Sequence, residues 1–368
     1  MTQKSISMKP KHMTPKAKEF VESFDRKLKD FACRDGIPAG AAVTAIANLN
    51  FHGQDIPADI FHRIDYRPDP DPRDIYLVLG EAMKNVRKGS IKIDRPALID
   101  ISEFRLQYNF IRGFRPKREA KKEDVKLDEL FKEGGFSFLD PVCEIEKFDT
   151  LKYGNNMSVD LLFNRYPFAP YHFIWVPNKQ EKHNQHLDPQ NDAAVIEAMW
   201  NYVTEEGLGS SVRLGYNSLG AHASVNHLHC QGFFVTDDWE PPFERLLKNR
   251  GSTGQISSLY FDGARWIAKS DGLQALRDFI AEMNGRNKMD GGIAYNLCIT
   301  PDGIACFPRK HQGDANYFKL LQEAPFTTGF AFFEMLGEII CPVKDISVFA
   351  HREIEARIKE IFGTLTIV

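Results

Sequence analysis

No stretch of this 368-residue chain approaches the roughly 20 consecutive apolar residues that a membrane-spanning helix needs, so no membrane span is expected. The opening segment, MTQKSISMKPKHMTPK, is basic and polar and lacks the apolar core of a signal peptide. Cysteine is sparse. Cys33, Cys143, Cys230, Cys298, Cys306 and Cys341 are scattered, and no pair has C-x-x-C spacing. That argues against a disulfide framework or zinc ribbon and for reduced thiols in a cytoplasmic protein. An excess of positive charge is also missing. Lys and Arg total 47 against 50 Asp and Glu, a net charge of -3, which argues against a dedicated nucleic-acid binder. Composition is unbiased, with 43% hydrophobic and 26% charged residues, which excludes disordered, collagen-like and fibrous classes. At about 150 residues per domain the length allows two domains or one large one, with a core that needs no staples.

Several elements are legible from local pattern. Thr14-Pro15 reads as a helix start, with Phe20, Phe24, Leu28 and Phe31 at helical spacing and a stop at Asp35-Gly36. YRPDPDPR, from Tyr66 to Arg73, reads as a surface loop. Arg112 to Lys122, RGFRPKREAKK, reads as a solvated charge run or a phosphate-contacting arm, in which Arg112 and Arg115 suit bidentate contacts. Strands are expected at 171–176, 212–216 and 227–235, and helices at 191–206, 273–283 and 351–362. Phe163-Asn164 to Val176-Pro177 and Tyr295-Asn296 to Phe307-Pro308 are similarly spaced. If that is a repeat, one unit is used twice.

The chemistry concentrates in LGYNSLGAHASVNHLHCQGFF, Leu214 to Phe234, where His222, His227 and His229 crowd together. On a strand, His227, His229 and Gln231 share one face, while Leu228 and Cys230 turn into packing. Neutral imidazole can attack phosphorus and hold the group as a phosphoramidate, splitting one transfer into two easier ones. A neighbouring histidine can orient the reacting groups, and a glutamine amide can donate to a phosphate oxygen. The turn Asn217-Ser218-Leu219-Gly220 offers backbone N–H groups and a hydroxyl for a second phosphate. Two other readings compete. H-x-H on a strand also serves metals, although the Gln231 carboxamide is a poor ligand for transition ions. Satisfied structural histidines are the other, and His222 by itself reads as a hydrogen-bonded or pocket-lining residue.

H-L-H-C-Q resembles the H-x-H-x-Q signature of the nucleotidyltransferase and phosphorylase branch of the histidine triad superfamily. GYNSLGAHASVNHLHCQ is most similar to the GDP-L-galactose and GDP-D-glucose phosphorylases. FNRYPFAPYHFIWVP resembles the superfamily's Asn-to-His strand unit, and FFEMLGEII a segment of the same phosphorylases. The likeness covers about Leu151 to Gly337. It implies an α+β fold of histidine-triad type, with a mainly antiparallel sheet flanked by helices. It implies His229 as nucleophile, His227 as its support and Gln231 as donor to the nucleotidyl phosphate. It also implies Ser224, Asn217, Ser218 and Gly220 near phosphate and Asn164 near ribose. Gln at 231 in place of a third histidine suggests transfer to phosphate or sugar phosphate. The missing C-x-x-C pair, Leu228 in place of proline and His222 argue against a hexose-1-phosphate uridylyltransferase and its structural zinc.

The expected enzyme is therefore a GDP-hexose or other nucleotide-sugar phosphorylase, with nucleotide sugar and inorganic phosphate as partners and no cofactor or metal. A diadenosine polyphosphate phosphorylase, a hexose-1-phosphate nucleotidyltransferase and a non-enzymatic metal- or nucleotide-binding module are the alternatives. The resemblance also implies a homodimer. The expected division is an N-terminal region of unassigned role (1–100), a catalytic half (101–250) and a second half completing the same domain (251–368).

Overall fold

The computed structural model describes residues 4–6, 8–10, 13–66, 73–114, 126–154, 157–205, 207–247, 253–256, 260–286, 292–343 and 351–367. Thr14 caps the first helix, α1 (Pro15–Ala32), its hydroxyl accepting from Ala17 N–H at 3.1 Å. Phe24, Leu28 and Phe31 are buried along one face, each burial contributing on the order of 1.5–3 kcal/mol. The helix stops at Ala32, before the expected Asp35-Gly36. Helix α2 (Ala39–Phe51), AGAAVTAIANLNF, is mostly apolar, with Thr44, Asn48 and Asn50 as its polar residues, and is buried along its whole length, as in a helix enclosed by protein. Arg73 opens α3 (Arg73–Lys84). The rest of the YRPDPDPR loop, 67–72, lies outside the described residues.

A short hairpin, β1 (Ala97–Ile101) and β2 (Phe104–Tyr108), leads to α4 (Pro141–Glu146). The chain then builds the main sheet from β3 (Lys147–Tyr153), β4 (Met157–Phe163) and β5 (Phe173–Pro177). Helix α5 (Ala193–Thr204) follows, then β6 (Val212–Asn217), β7 (Cys230–Phe234), β8 (Gly254–Gln255) and β9 (Arg265–Ala268). Helix α6 (Gly272–Gly285) leads to the hairpin β10 (Ala294–Thr300) and β11 (Gly303–Arg309), then α7 (Ala315–Gln322). Finally β12 (Glu338–Cys341) pairs parallel with β2, and α8 (His351–Leu365) closes the described chain. Among the described residues the main sheet has nine strands in the order β8-β9-β11-β10-β6-β7-β5-β4-β3, and every pairing among them is antiparallel. This is the expected α+β architecture.

Strand alternation gives the sheet two apolar faces. Leu297, Ile299, Ile304 and Cys306 face a core shared with α1, α2, α5 and α6. Cys298, Ala305 and Phe307 face a second core shared with β1, β2, β12 and α8. Elements from 251–368 thus lie in the same sheet as those from 101–250, and the N-terminal helices share one of its cores. Helices 191–206 and 273–283 are found as α5 and α6, and 351–362 as α8, with ends shifted by a few residues.

Two expectations need correction. The strand expected over 227–235 begins only at Cys230, so His227 and His229 lie upstream of the ladder. The two Asn-to-Pro segments are also built differently. Asn164 follows β4 and opens a turn, whereas Asn296 lies inside β10, which joins β11 directly by a tight turn. All six cysteines are free thiols and all but Cys33 are buried. No helix among the described residues is long and apolar enough to cross a membrane.

Candidate active site

His229 is only 4% exposed, and its ring Nδ1 lies 2.8 Å from the His227 carbonyl oxygen. A carbonyl only accepts, so Nδ1 carries the proton. In neutral imidazole that makes Nε2 the lone-pair, nucleophilic nitrogen. His227 is fully buried. Its Nδ1 accepts from Phe138 N–H at 3.3 Å, and burial pushes its pKa down to about 4, slightly opposed by the Lys179 backbone. His227 is therefore neutral at pH 7. Its contribution to His229 is made through the backbone carbonyl that fixes the His229 tautomer.

Aromatic rings cover both histidines. Phe138 lies 5.0 Å from the His229 ring and 5.6 Å from His227, and Phe131 meets His227 edge-on at 5.2 Å. The segment that carries these rings is pinned from below. The Asn226 side-chain amide donates to the carbonyls of Glu129 and Leu130, both at 3.0 Å, and Asn184 donates to Glu129 at 2.9 Å.

Gln231 lies in β7 and is partly exposed. His172, just before β5, receives Phe168 N–H on Nδ1 at 3.3 Å, so its Nε2 bears the proton and donates to Gln231 Oε1 at 3.1 Å. The Asn164 side-chain nitrogen lies 3.2 Å from the same Nε2. Arg112 stacks over Phe168 at 4.8 Å and donates to the Tyr166 carbonyl at 2.8 Å. Burial first, and the nearby Arg112 charge second, hold the His172 pKa well below its ordinary value. His172 thus links the Asn164 side chain to the Gln231 amide, with the Arg112 charge near its ring. Arg115 lies outside the described residues, as does Lys117 with the rest of the basic run through Lys122.

The turn bearing Asn164 and His172 contains Pro167 and Pro170 and is held by its carbonyls. Asn48 of α2 donates to the carbonyl of Asn164, Asn109 to that of Pro167 and Gln107 to that of Phe168, each at 2.8 Å. His52 accepts Tyr171 N–H at 3.0 Å, where Tyr171 has a left-handed φ of 51°. Helix α2 and the end of β2 thereby buttress the turn.

The residues expected to lie near phosphate are engaged with the chain. Asn217 Oδ1 accepts from Asn296 at 2.6 Å and from Phe332 N–H at 2.8 Å. The Ser218 hydroxyl accepts Tyr295 N–H at 2.9 Å, and Ser218 N–H donates to the Tyr295 carbonyl at 3.0 Å. Those side chains fasten the loop to β10. Gly220 has φ 75°, and a Cβ there would lie 2.3 Å from the His311 ring. Ser224 is exposed on the following turn. His222 Nε2 meets the Tyr317 hydroxyl at 2.6 Å, the hydrogen-bonded role expected for it.

His172, and Gln185, whose side-chain amide bonds both the backbone N–H and the carbonyl of His229, were not among the expected site residues. The Asn-to-His strand unit was a signal for His172. Gln185 sits in the polar stretch NKQEKHNQH, whose pattern singles out no residue. Among the described residues no group of three or more His, Cys, Asp or Glu side chains is placed to hold a metal ion.

Residues 103–233 match the family model for the GDPGP1-like N-terminal domain. That stretch is similar to the GDPGP1-like N-terminal domain. It spans about a third of the chain and contains Arg112, Asn164, His172, Gln185, His227, His229 and Gln231. Among solved structures the chain is similar to the yeast Ap4A phosphorylase in complex with Ap4A, at 12% identity, covering 74% of this chain and 90% of that one, with a TM-score of 0.48. It is also similar to an ADP-glucose phosphorylase from Arabidopsis thaliana with bound ADP-glucose, at 13% identity, 75% and 100% coverage and a TM-score of 0.32. A GalT-like protein from Arabidopsis thaliana is similar at 12% identity, 67% and 98% coverage and a TM-score of 0.32. No curated protein matches the chain.

Proposed function

We propose that this chain is a nucleotide-sugar phosphorylase acting on a GDP-hexose through a nucleotidyl-histidine. The observation that carries this reading is the tautomer of His229, in an H-x-H-x-Q segment of a GDPGP1-like domain. His229 Nε2 attacks the α-phosphorus and a P–N bond forms. The bond from that phosphorus to the bridging oxygen breaks, and its electrons leave with hexose 1-phosphate. An oxygen of inorganic phosphate then attacks the same phosphorus, the P–N bond breaks, and the nucleoside diphosphate departs. Gln231 donates to a non-bridging oxygen as charge builds there, with Arg112 as a fixed positive charge nearby. Asn164 serves the ribose, and Ser224 and the Gly220 turn the second phosphate. Asn217 and Ser218 hold that turn in shape. Arg115 completes the phosphate contacts. The reading extends to a homodimer in the cytoplasm, whose reducing conditions suit six free thiols.

The test is phosphorolysis by the full chain of GDP-glucose, GDP-galactose, UDP-galactose and diadenosine tetraphosphate, with intact mass measured before phosphate is added. Release of hexose 1-phosphate, with a nucleotidyl adduct absent from His229→Asn, is the expected result. Consumption of diadenosine tetraphosphate alone would transfer the reading to a dinucleotide phosphorylase. Stoichiometric metal with no adduct would favour a binding module.

A further inference from the structure

The ladder between β6 and β7 runs Val212↔Phe234, Arg213↔Phe233, Leu214↔Gly232 and Gly215↔Gln231, and there it stops. Continued in register, Asn217 would face His229. A side chain stands in that position instead. Gln185 Oε1 accepts the His229 backbone N–H at 2.8 Å, and its Nε2 donates to the His229 carbonyl at 3.0 Å and to the Asn217 carbonyl at 2.9 Å. Both amide hydrogens and the amide oxygen are committed, in a fully buried side chain. Toward His229 the amide has the bonding pattern of a paired strand residue. It parts the strands where the loop 218–228 must leave the sheet. Gln185 is itself fixed, since its N–H donates to Asn226 Oδ1 at 2.9 Å and its carbonyl accepts from the Tyr216 hydroxyl at 3.2 Å.

We infer that Gln185 is a positioning residue for nucleotidyl transfer. It holds both backbone polar groups of His229, so that the imidazole meets the α-phosphorus at bonding distance and its Nδ1–H stays on the His227 carbonyl. This rests on the reading of His229 as the nucleophile. Glutamine is the residue whose shape and hydrogens fit. Ionised glutamate would face two carbonyl oxygens with negative charge, and burial would raise its pKa. Protonated glutamate regains one of the two donors. The chemical step of Gln185→Glu must therefore depend on pH, active below the raised carboxyl pKa and impaired above it.

The experiment is single-turnover release of hexose 1-phosphate from GDP-glucose without phosphate, for the wild type and Gln185→Glu from pH 5 to 9, with KM and thermal midpoint measured alongside. At pH 8 the variant should be slower by about 100-fold, the usual consequence of roughly 1 Å of misplacement, with KM little changed. Its rate relative to wild type should recover at least about tenfold toward pH 5.5, the fraction of protonated carboxyl rising tenfold per pH unit. A wild-type rate at every pH, or a deficit independent of pH that follows the loss of folded protein, would overturn the inference. If Gln185→Glu does not fold, Asn226→Ala decides. A slower burst at unchanged KM is expected from releasing the Gln185 backbone, and an unchanged burst overturns the inference. If the wild type forms no adduct, or His229→Asn forms one normally, the nucleophile assignment has failed, a result separable from normal bursts in the Gln185 and Asn226 variants.

Discussion

His172 Nε2–H donates to Gln231 Oε1 at 3.1 Å, from the residue that precedes β5 to the neighbouring strand β7. The bond fixes which end of the amide is which. With the oxygen engaged by a buried imidazole that is neutral at pH 7, Gln231 presents its nitrogen as donor. That is the polarity required to stabilise a phosphate oxygen as negative charge accumulates.

Gln231→Glu reverses that polarity while keeping the acceptor for His172. We expect kcat/KM to fall by about 10²–10³, the range for losing one transition-state donor. The side chain is partly exposed, so the thermal midpoint should move little. Steady-state phosphorolysis with thermal unfolding checks both, and near-normal activity would remove Gln231 from the phosphate site.

Acid should destabilise the fold through His52. Burial pushes this imidazole from 6.5 down to about 4 in the folded state. The folded protein therefore binds fewer protons than the unfolded chain between these values. The stabilisation is complete above pH 6.5 and is lost as pH falls toward 4, by about 3 kcal/mol at most. His52→Gln should flatten the dependence of the thermal midpoint on pH across that window. An unchanged slope would show that His52 is not the proton acceptor.

Glu338 should act in the opposite direction. Burial raises its carboxyl to about 7, against the opposing charge of Arg105, while Trp239 and Gln107 donate to its Oε1. Its contribution is greatest below pH 4.5 and is lost as pH rises through 7. Glu338→Gln keeps an oxygen for both donors, so it should stabilise the protein at pH 8 by roughly 1–3 kcal/mol. Arg105 retains Asp100 at 2.9 Å. Calorimetry at pH 5 and pH 8 checks this, and equal effects at both values would refute it.

Gly220→Ala should be among the more damaging single-atom additions near the site. The backbone there is left-handed, and the new methyl would meet both the His311 ring and Leu127. A loss of about 1–3 kcal/mol and a slower phosphorolysis step are expected, because the loop that carries Ser224 and leads to the histidines must shift. Unchanged stability and rate would separate His311 from the loop.

Much was legible locally. Thr14 caps a helix because its oxygen meets an N–H only three residues on. The helices α1, α5, α6 and α8 follow from apolar spacing. Leu228 and Cys230 turn into the core as alternation requires, while His227 and His229 meet Phe131 and Phe138 instead. The end of the strand was not legible, because a rung supplied by a side chain leaves no periodic trace.

The sequence by itself determined the chemistry available: two imidazoles and an amide at alternating positions, a small polar turn before them, and the helical and strand periods that build a two-faced sheet. Tertiary structure decided how each group is used. Gln185 reaches His229 across 44 positions, His172 reaches Gln231 across 59, and Asn48 reaches the Asn164 carbonyl across 116. These bonds join segments that only the folded core brings together. They set the tautomer, the amide polarity and the backbone position on which the proposed transfer depends. A hydrogen bond acts over about 3 Å, and residue spacing says nothing of which distant residue the fold carries within that reach.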